Sequence, residues 1–233
     1  MSASSLEHLP ELMAILAHDL RNPLSALLTN VHFVQSVVKG SGLDIDEALS
    51  DSALSCMILG QVIGNLEVLG HAFGSPSPPP TPVGTREAAG QAVARTAQLA
   101  MLAGIETAMV RDSPGATVLV EPMFFGRALD NMLANALQYS PAKGKITIEL
   151  ITKGKRAGVR LIDSGPVVPP EYRELVLTEE GQAVAKKRYE ARYGRGLGLY
   201  CAAQAARIAG AELAMGERDG HFFIELSGPL APA

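Results

Sequence analysis

The sequence predicts an α + α/β chain: an antiparallel helical hairpin followed by an α/β sandwich. Three observations predict it. Apolar residues recur at helical spacing through the first third of the chain. A proline-rich stretch, GSPSPPPTPVG at residues 74–84, then interrupts the pattern. Beyond it, helical and strand-like periods follow one another.

The first helix is predicted from Leu6, Leu9, Met13, Leu16, Leu20, Leu24, Leu27, Val31, Val34 and Val38. Their gaps of three and four make a near-heptad seam with one irregular step, between Leu20 and Leu24. Pro23 lies in that step and predicts a bend or a local loosening. Lys39-Gly40-Ser41-Gly42 supplies the stop. A second amphipathic run from Asp44 to Phe73 carries Ile45, Leu49, Leu54, Ile58, Val62, Leu66 and Leu69. A single hairpin of this kind buries one face only. Pairing two copies into a four-helix bundle covers the rest, which predicts a homodimer; the alternative is a monomeric hairpin packed on its own second domain. Five prolines in residues 74–84 remove backbone donors and fix φ, so a stiff, extended linker is expected there.

After the linker, residues 85–102 read as an Ala-rich helix, Ile105–Val110 and Thr117–Val120 as short strands, and Phe124–Tyr139 as a helix. Lys145–Thr152 alternates and is β-branched. Gly158–Ile162 pairs with it through Lys153-Gly154-Lys155. Residues 197–209 form a helix after a glycine cluster, and Ala211–Met215 with His221–Leu226 closes as a hairpin. A mixed sheet covered by helices follows from this order.

Composition excludes several function classes. The 233 residues carry a net charge of −4, which argues against a nucleic-acid partner held by bulk electrostatics. No apolar run reaches the length of a membrane span. The start, MSASSLEHLPEL, lacks the basic and apolar regions of a signal peptide, so a cytoplasmic location is expected. Cys56 and Cys201 lie far apart with no metal-type spacing and read as free thiols.

Four strings carry chemistry. The first is Ala17-His18-Asp19-Leu20-Arg21-Asn22-Pro23-Leu24. His18 stands two residues from the seam positions Leu16 and Leu20, about 200° around the helix, so its imidazole is expected in solvent. A carboxylate beside an exposed imidazole can hold one ring nitrogen and leave the other nucleophilic; Asp19 is the candidate. The second string runs from Asp130 to Pro141, with Asn131 and Asn135 four apart on one helix face. An amide oxygen there suits Mg²⁺, which keeps its waters and bridges to phosphates. The third, Asp163-Ser164-Gly165-Pro166, follows a strand. Its carboxylate can accept from an exocyclic amine, and its glycine lets the backbone approach a planar base. The fourth, Gly194-Arg195-Gly196-Leu197-Gly198-Leu199, opens a helix and can offer N–H groups to an anion. Taken singly, each string also reads blandly: a surface histidine, helix amides, an ordinary turn, a glycine run.

Together, and in this order, the strings resemble the sensor histidine kinases of two-component systems, with a GHKL-type ATP-binding core. Every position of the family's phosphoacceptor box is matched around His18. The resemblance implies three segments: a dimerisation and phosphoacceptor hairpin at 1–74, a Pro-rich linker at 75–84 and an ATP-binding catalytic domain at 85–233. It implies that His18 takes the γ-phosphoryl group of ATP, with Asp19 as base or orienter and Asn22 positioning a hydrolytic water. Pro23 would supply the bend that lets the helix move. Asn135 matches the Mg²⁺ position of the N-box, Asn131 its polar neighbour, and Tyr139 the aromatic near adenine. Asp163 and Gly165 match the first glycine box, and Gly194, Gly196, Leu197 and Gly198 the second, which cradles the triphosphate.

The implied partner is a response-regulator receiver domain. Because only some 17 residues precede His18, a separate sensory partner is also expected. The chain departs from the family in three places. Gln138 replaces a basic residue, Val167 stands where a second glycine is usual, and residues 171–193 hold no phenylalanine. In that lid segment Lys186, Lys187, Arg188 and Arg192 reach phosphates, grip the hairpin or form a solvated face. A non-catalytic phosphotransfer protein or pseudokinase scaffold is therefore the alternative to a working kinase.

Overall fold

The computed structural model describes residues 9–38, 46–72, 77–110, 115–178, 180–181 and 197–232. They divide into two compact units, one ending at Glu67 and one beginning at Val68.

The first unit holds α1 (Leu9–Val38) and most of α2 (Asp46–Ala72). Helix α1 runs on through Pro23 without interruption, so the irregular seam step does not end it. Two hydroxyls bond back to the helix: Thr29 Oγ1 donates to Ser25 O and Ser36 Oγ to Phe33 O. The seam is left open to solvent at Leu24 (46% exposed) and Val31 (39%). Leu28 and Phe33 are equally open beside it. The expected stop at Lys39-Gly40-Ser41-Gly42 lies outside the described residues.

The second unit is built on a five-stranded sheet of order β2-β4-β5-β7-β6. Its strands are β2 (Glu106–Met109), β4 (Lys145–Lys153), β5 (Arg156–Asp163), β6 (Glu212–Arg218) and β7 (His221–Pro229). Only the β2–β4 pair is parallel. Helices α3 (Thr85–Ala103), α4 (Pro122–Tyr139) and α6 (Gly198–Ala209) share its core. Strict alternation on the central strands explains the layering. Ile146, Ile148 and Leu150 of β4, Ala157, Val159 and Leu161 of β5, and Phe222, Ile224 and Leu226 of β7 are all buried on one face. They meet Phe124, Phe125, Leu129, Met132 and Leu133 of α4. The β6–β7 hairpin closes on Asp219-Gly220, both with positive φ (54° and 78°), the turn that matches strand twist.

Residues 81–84 correct the expectation of an unbroken linker over 75–84. Thr81–Gly84 is β1, paired antiparallel with β3 (Thr117–Val120) in a separate two-stranded sheet. Pro82 sits opposite Leu119 and is tolerated because such a short strand is all edge. The division between units also falls earlier than the prolines. Val68, fully buried, belongs to the core of the second unit, and the His71 ring lies 4.8 Å from that of Phe124. No described helix is long and apolar enough to cross a membrane.

The opposite face of the sheet carries charge. Arg160 bonds Glu225 (2.8 Å) and Glu149 (3.3 Å), Lys153 bonds Glu225 (2.9 Å), and Arg218 bonds Glu149 (3.0 Å). Arg160 also stacks 4.9 Å from the centre of the Phe223 ring. That ring lies across Gly216, where a Cβ would come within 2.6 Å of it. Burial alone would raise the Glu225 carboxyl, but hydrogen bonds from Lys153 and Arg160 outweigh it and hold its pKa below the usual range. A lowered folded pKa stabilises above the unfolded value and is lost as pH falls through the folded one. Thermal melts should therefore show Glu225→Gln less stable than wild type at pH 7. The gap should narrow as pH falls through the lowered folded pKa, where the wild-type carboxyl is neutral in both the folded and the unfolded chain.

Candidate functional site

Helix α4 supplies the site's axis. Its start is capped by the buried Glu121, whose Oε2 accepts from Phe124 N at 2.7 Å, and Pro122 follows at the first helical position. One side of α4 is committed to the core. The amide-bearing side carries Asn131 and Asn135, 2% and 7% exposed. Asn131 Nδ2 donates to Arg127 O at 3.0 Å, which fixes the amide's orientation. Tyr139 is half-buried at the end of the helix and Gln138 is exposed.

Helix α6 lies antiparallel on α4. Glu121 N donates to Ala209 O, joining the start of α4 to the end of α6. At the other end, a Cβ on Gly198 would stand 3.9 Å from Asn131 Oδ1. Among the described residues no side chain caps α6 at Leu197, and its first turn begins beside Asn131. Gly194 and Gly196 lie outside the described residues, as do Lys186, Lys187, Arg188 and Arg192.

Asp163 ends β5 and is 1% exposed. Its Oδ1 accepts from Gly165 N at 2.8 Å, closing a tight turn. Ser164 Oγ ties this turn to β4, accepting from Lys145 N and donating to Lys145 O. Lys145 follows directly on the turn that leaves α4, where Gly144 N donates to Pro141 O. The Asp163 turn thus sits at the Tyr139 end of α4, and Gly198 at the Asn131 end. Between Tyr139 and Asn131 the helix rises about 12 Å. The result is a row: buried carboxylate and glycine, aromatic, Asn135, Asn131, helix start. Val167 takes no left-handed backbone and packs half-buried on the core.

On α1, Asp19 is half-buried and Asn22 exposed. The side chain of His18 lies outside the described residues, so its expected outward direction has no counterpart here. Sequence reasoning missed Glu121, although an acidic residue before proline at a helix start is a readable cap. It also missed Ser164, whose partner is on another strand and leaves no local signal. A shallow hollow lined by Thr85, Arg86, Glu87 and Gly115 shares none of the site's residues.

Comparison with known proteins decides the kinship. Residues 120–229 match the family of histidine kinase-, DNA gyrase B- and HSP90-like ATPases. The kinase/phosphatase MprB of Mycolicibacterium smegmatis is 28% identical over 92% of this chain and 43% of its own length. The chain is a relative of the sensor histidine kinases, with an ATP-binding core of the GHKL type. Sensor protein IrlS of Burkholderia pseudomallei is 26% identical over 84% of this chain and 41% of that protein. The chain thus spans less than half the length of these two relatives. Histidine kinase ThkA, solved in complex with response regulator protein TrrA, shares the fold. Its TM-score is 0.58 at 18% identity, covering 98% of this chain and 64% of that one. At two positions where the sequence departs from the resemblance, Gln138 is exposed and Val167 packs half-buried on the core.

Because α4 carries both amides, its cap should matter to the whole site. Glu121→Ala is expected to cost about 1 kcal/mol, seen as a fall in Tm of about 3 °C by calorimetry.

Proposed function

We propose that the chain autophosphorylates His18 from Mg-ATP and passes the phosphoryl group to an aspartate of a response-regulator receiver domain. The observation that carries this reading is the row along α4. A buried carboxylate lies at one end, two buried amides in the middle and a helix start at the other. The order suits a nucleotide from base to phosphates. Asp163 accepts from the adenine amine, Gly165 lets the base approach, and Tyr139 flanks it. The α6 amides, with Gly194, Gly196, Leu197 and Gly198, receive the phosphates.

Asn135 is the metal-facing residue, and its amide oxygen suits a hard cation. When bound, Mg²⁺ supplies charge neutralisation at the phosphate oxygens.

The transfer itself is mostly positioning. An imidazole nitrogen of His18 bonds to the γ-phosphorus as the bond to the bridging oxygen breaks. ADP leaves with that electron pair, and Asp19 takes the imidazole proton. In the second step a receiver aspartate oxygen attacks the phosphorus, the N–P bond breaks, and His18 regains a proton. Asn22 orients water for hydrolysis; the kinase/phosphatase name of the MprB relative supports a phosphatase activity as well. The receiver partner is supported by ThkA's solution with a response regulator. The open seam at Leu24 and Val31 supports pairing of the hairpin with a second copy.

A second reading, a phosphotransfer protein or pseudokinase scaffold, is favoured by Val167 in place of a glycine and by Gln138 in place of a cation. Incubation with Mg²⁺ and γ-labelled ATP separates the two. A kinase gives acid-labile, alkali-stable label that both His18→Gln and Asn135→Ala abolish. Wild type that stays unlabelled with ATP, yet takes label from a phosphorylated receiver, would be a phosphotransfer protein.

A further inference from the structure

We propose that Arg173 is a positioning residue for the base-reading loop, resting on the nucleotide reading above. Residues 164–169 connect Asp163 to α5 (Pro170–Arg173). The loop is held at both ends by side chains. Near Asp163, Ser164 Oγ grips the backbone of Lys145. At the far end, Arg173 Nε donates to Val168 O at 2.9 Å. Val168 is fully buried, so this charged donor satisfies a carbonyl at a buried residue. The other side of the guanidinium faces Glu217 of β6, with Nη2 at 3.7 Å from its Oε2. The Arg173 side chain is 21% exposed, so it spans from the loop to the edge strand rather than waving in solvent.

The brace matters because of what the loop contains. Gly165 must keep its place beside the Asp163 carboxylate, to which its N–H donates, for a base to lie against both. Val167, where the family carries glycine, packs on the core and follows the backbone of Val168. If Val168 moves, Val167 moves into or away from the space for the base. At the phosphate end Asn131 is held within α4 by its bond to Arg127 O, whereas the bond of Arg173 goes to the loop itself. Arg173 therefore acts first on recognition of the base.

The test is displacement of a fluorescent ATP analogue from the full chain by ADP and by GDP. Arg173→Ala should weaken ADP about fivefold, the scale of one lost hydrogen bond. GDP should be unchanged, so that selectivity falls by the same factor. Arg173→Lys keeps one donor and should restore most of the ADP affinity. This variant also decides the matter if Arg173→Ala melts too low to assay: a smaller loss confined to ADP sustains the proposal. Unchanged ADP affinity, or equal weakening of ADP and GDP at either variant, overturns it. A wild type that binds no nucleotide, or does not prefer ADP, overturns the nucleotide reading and this inference with it.

Discussion

Helix α4 has its apolar side sunk among the side chains of the central strands, and this burial constrains everything around it. With Phe124, Phe125, Leu129, Met132 and Leu133 essentially inaccessible, the helix can neither rotate nor slide without opening cavities that cost several kcal/mol each. The flank that adjoins these residues is thereby fixed in direction, and with it Asn131 and Asn135, themselves nearly inaccessible. Helix α6 is then seated antiparallel on it, tied by Glu121 N donating to Ala209 O at one end and with Gly198 beside Asn131 at the other. Chemistry along the helix is a consequence of packing beneath it.

The two faces of the sheet solve different problems. One supplies the apolar bed for α4. The other carries a chain of charges from Lys153 and Arg218 inward to Glu149, Arg160 and Glu225. Exposed pairs contribute little singly. Here the inner three are largely covered and share partners, and the Phe223 ring beneath Arg160 adds apolar contact. Such a face resists edge and face association without needing a covering layer.

Much of this was legible in the sequence. Alternation on β4 and β5, the Gly154 turn and the 3.6-residue period of α4 name both layers of the second unit. Four spaced strings singled out candidate residues, of which the structure brings Asn131 and Gly198 close together. The failures have physical causes. Residues 81–84 read as linker because proline is a strand breaker in a central position, and sequence does not reveal that β1 would be an edge. The division at Glu67 was hidden because helical periodicity runs unbroken through α2, while Val68 answers to a different core. Arg173 and Ser164 were invisible because each acts on backbone atoms of another segment, which no side-chain pattern records.

The central claim is that the Asp163 turn, the amides of α4 and the start of α6 form one nucleotide site. Titration calorimetry of Mg-ADP into wild type and Asp163→Asn tests it most directly. The substitution keeps an oxygen for Gly165 N but removes the carboxylate charge. The account predicts saturable binding to wild type and a loss of about tenfold or more in the variant, with Tm little changed. Equal affinity in the two proteins, or no binding to either, would contradict it.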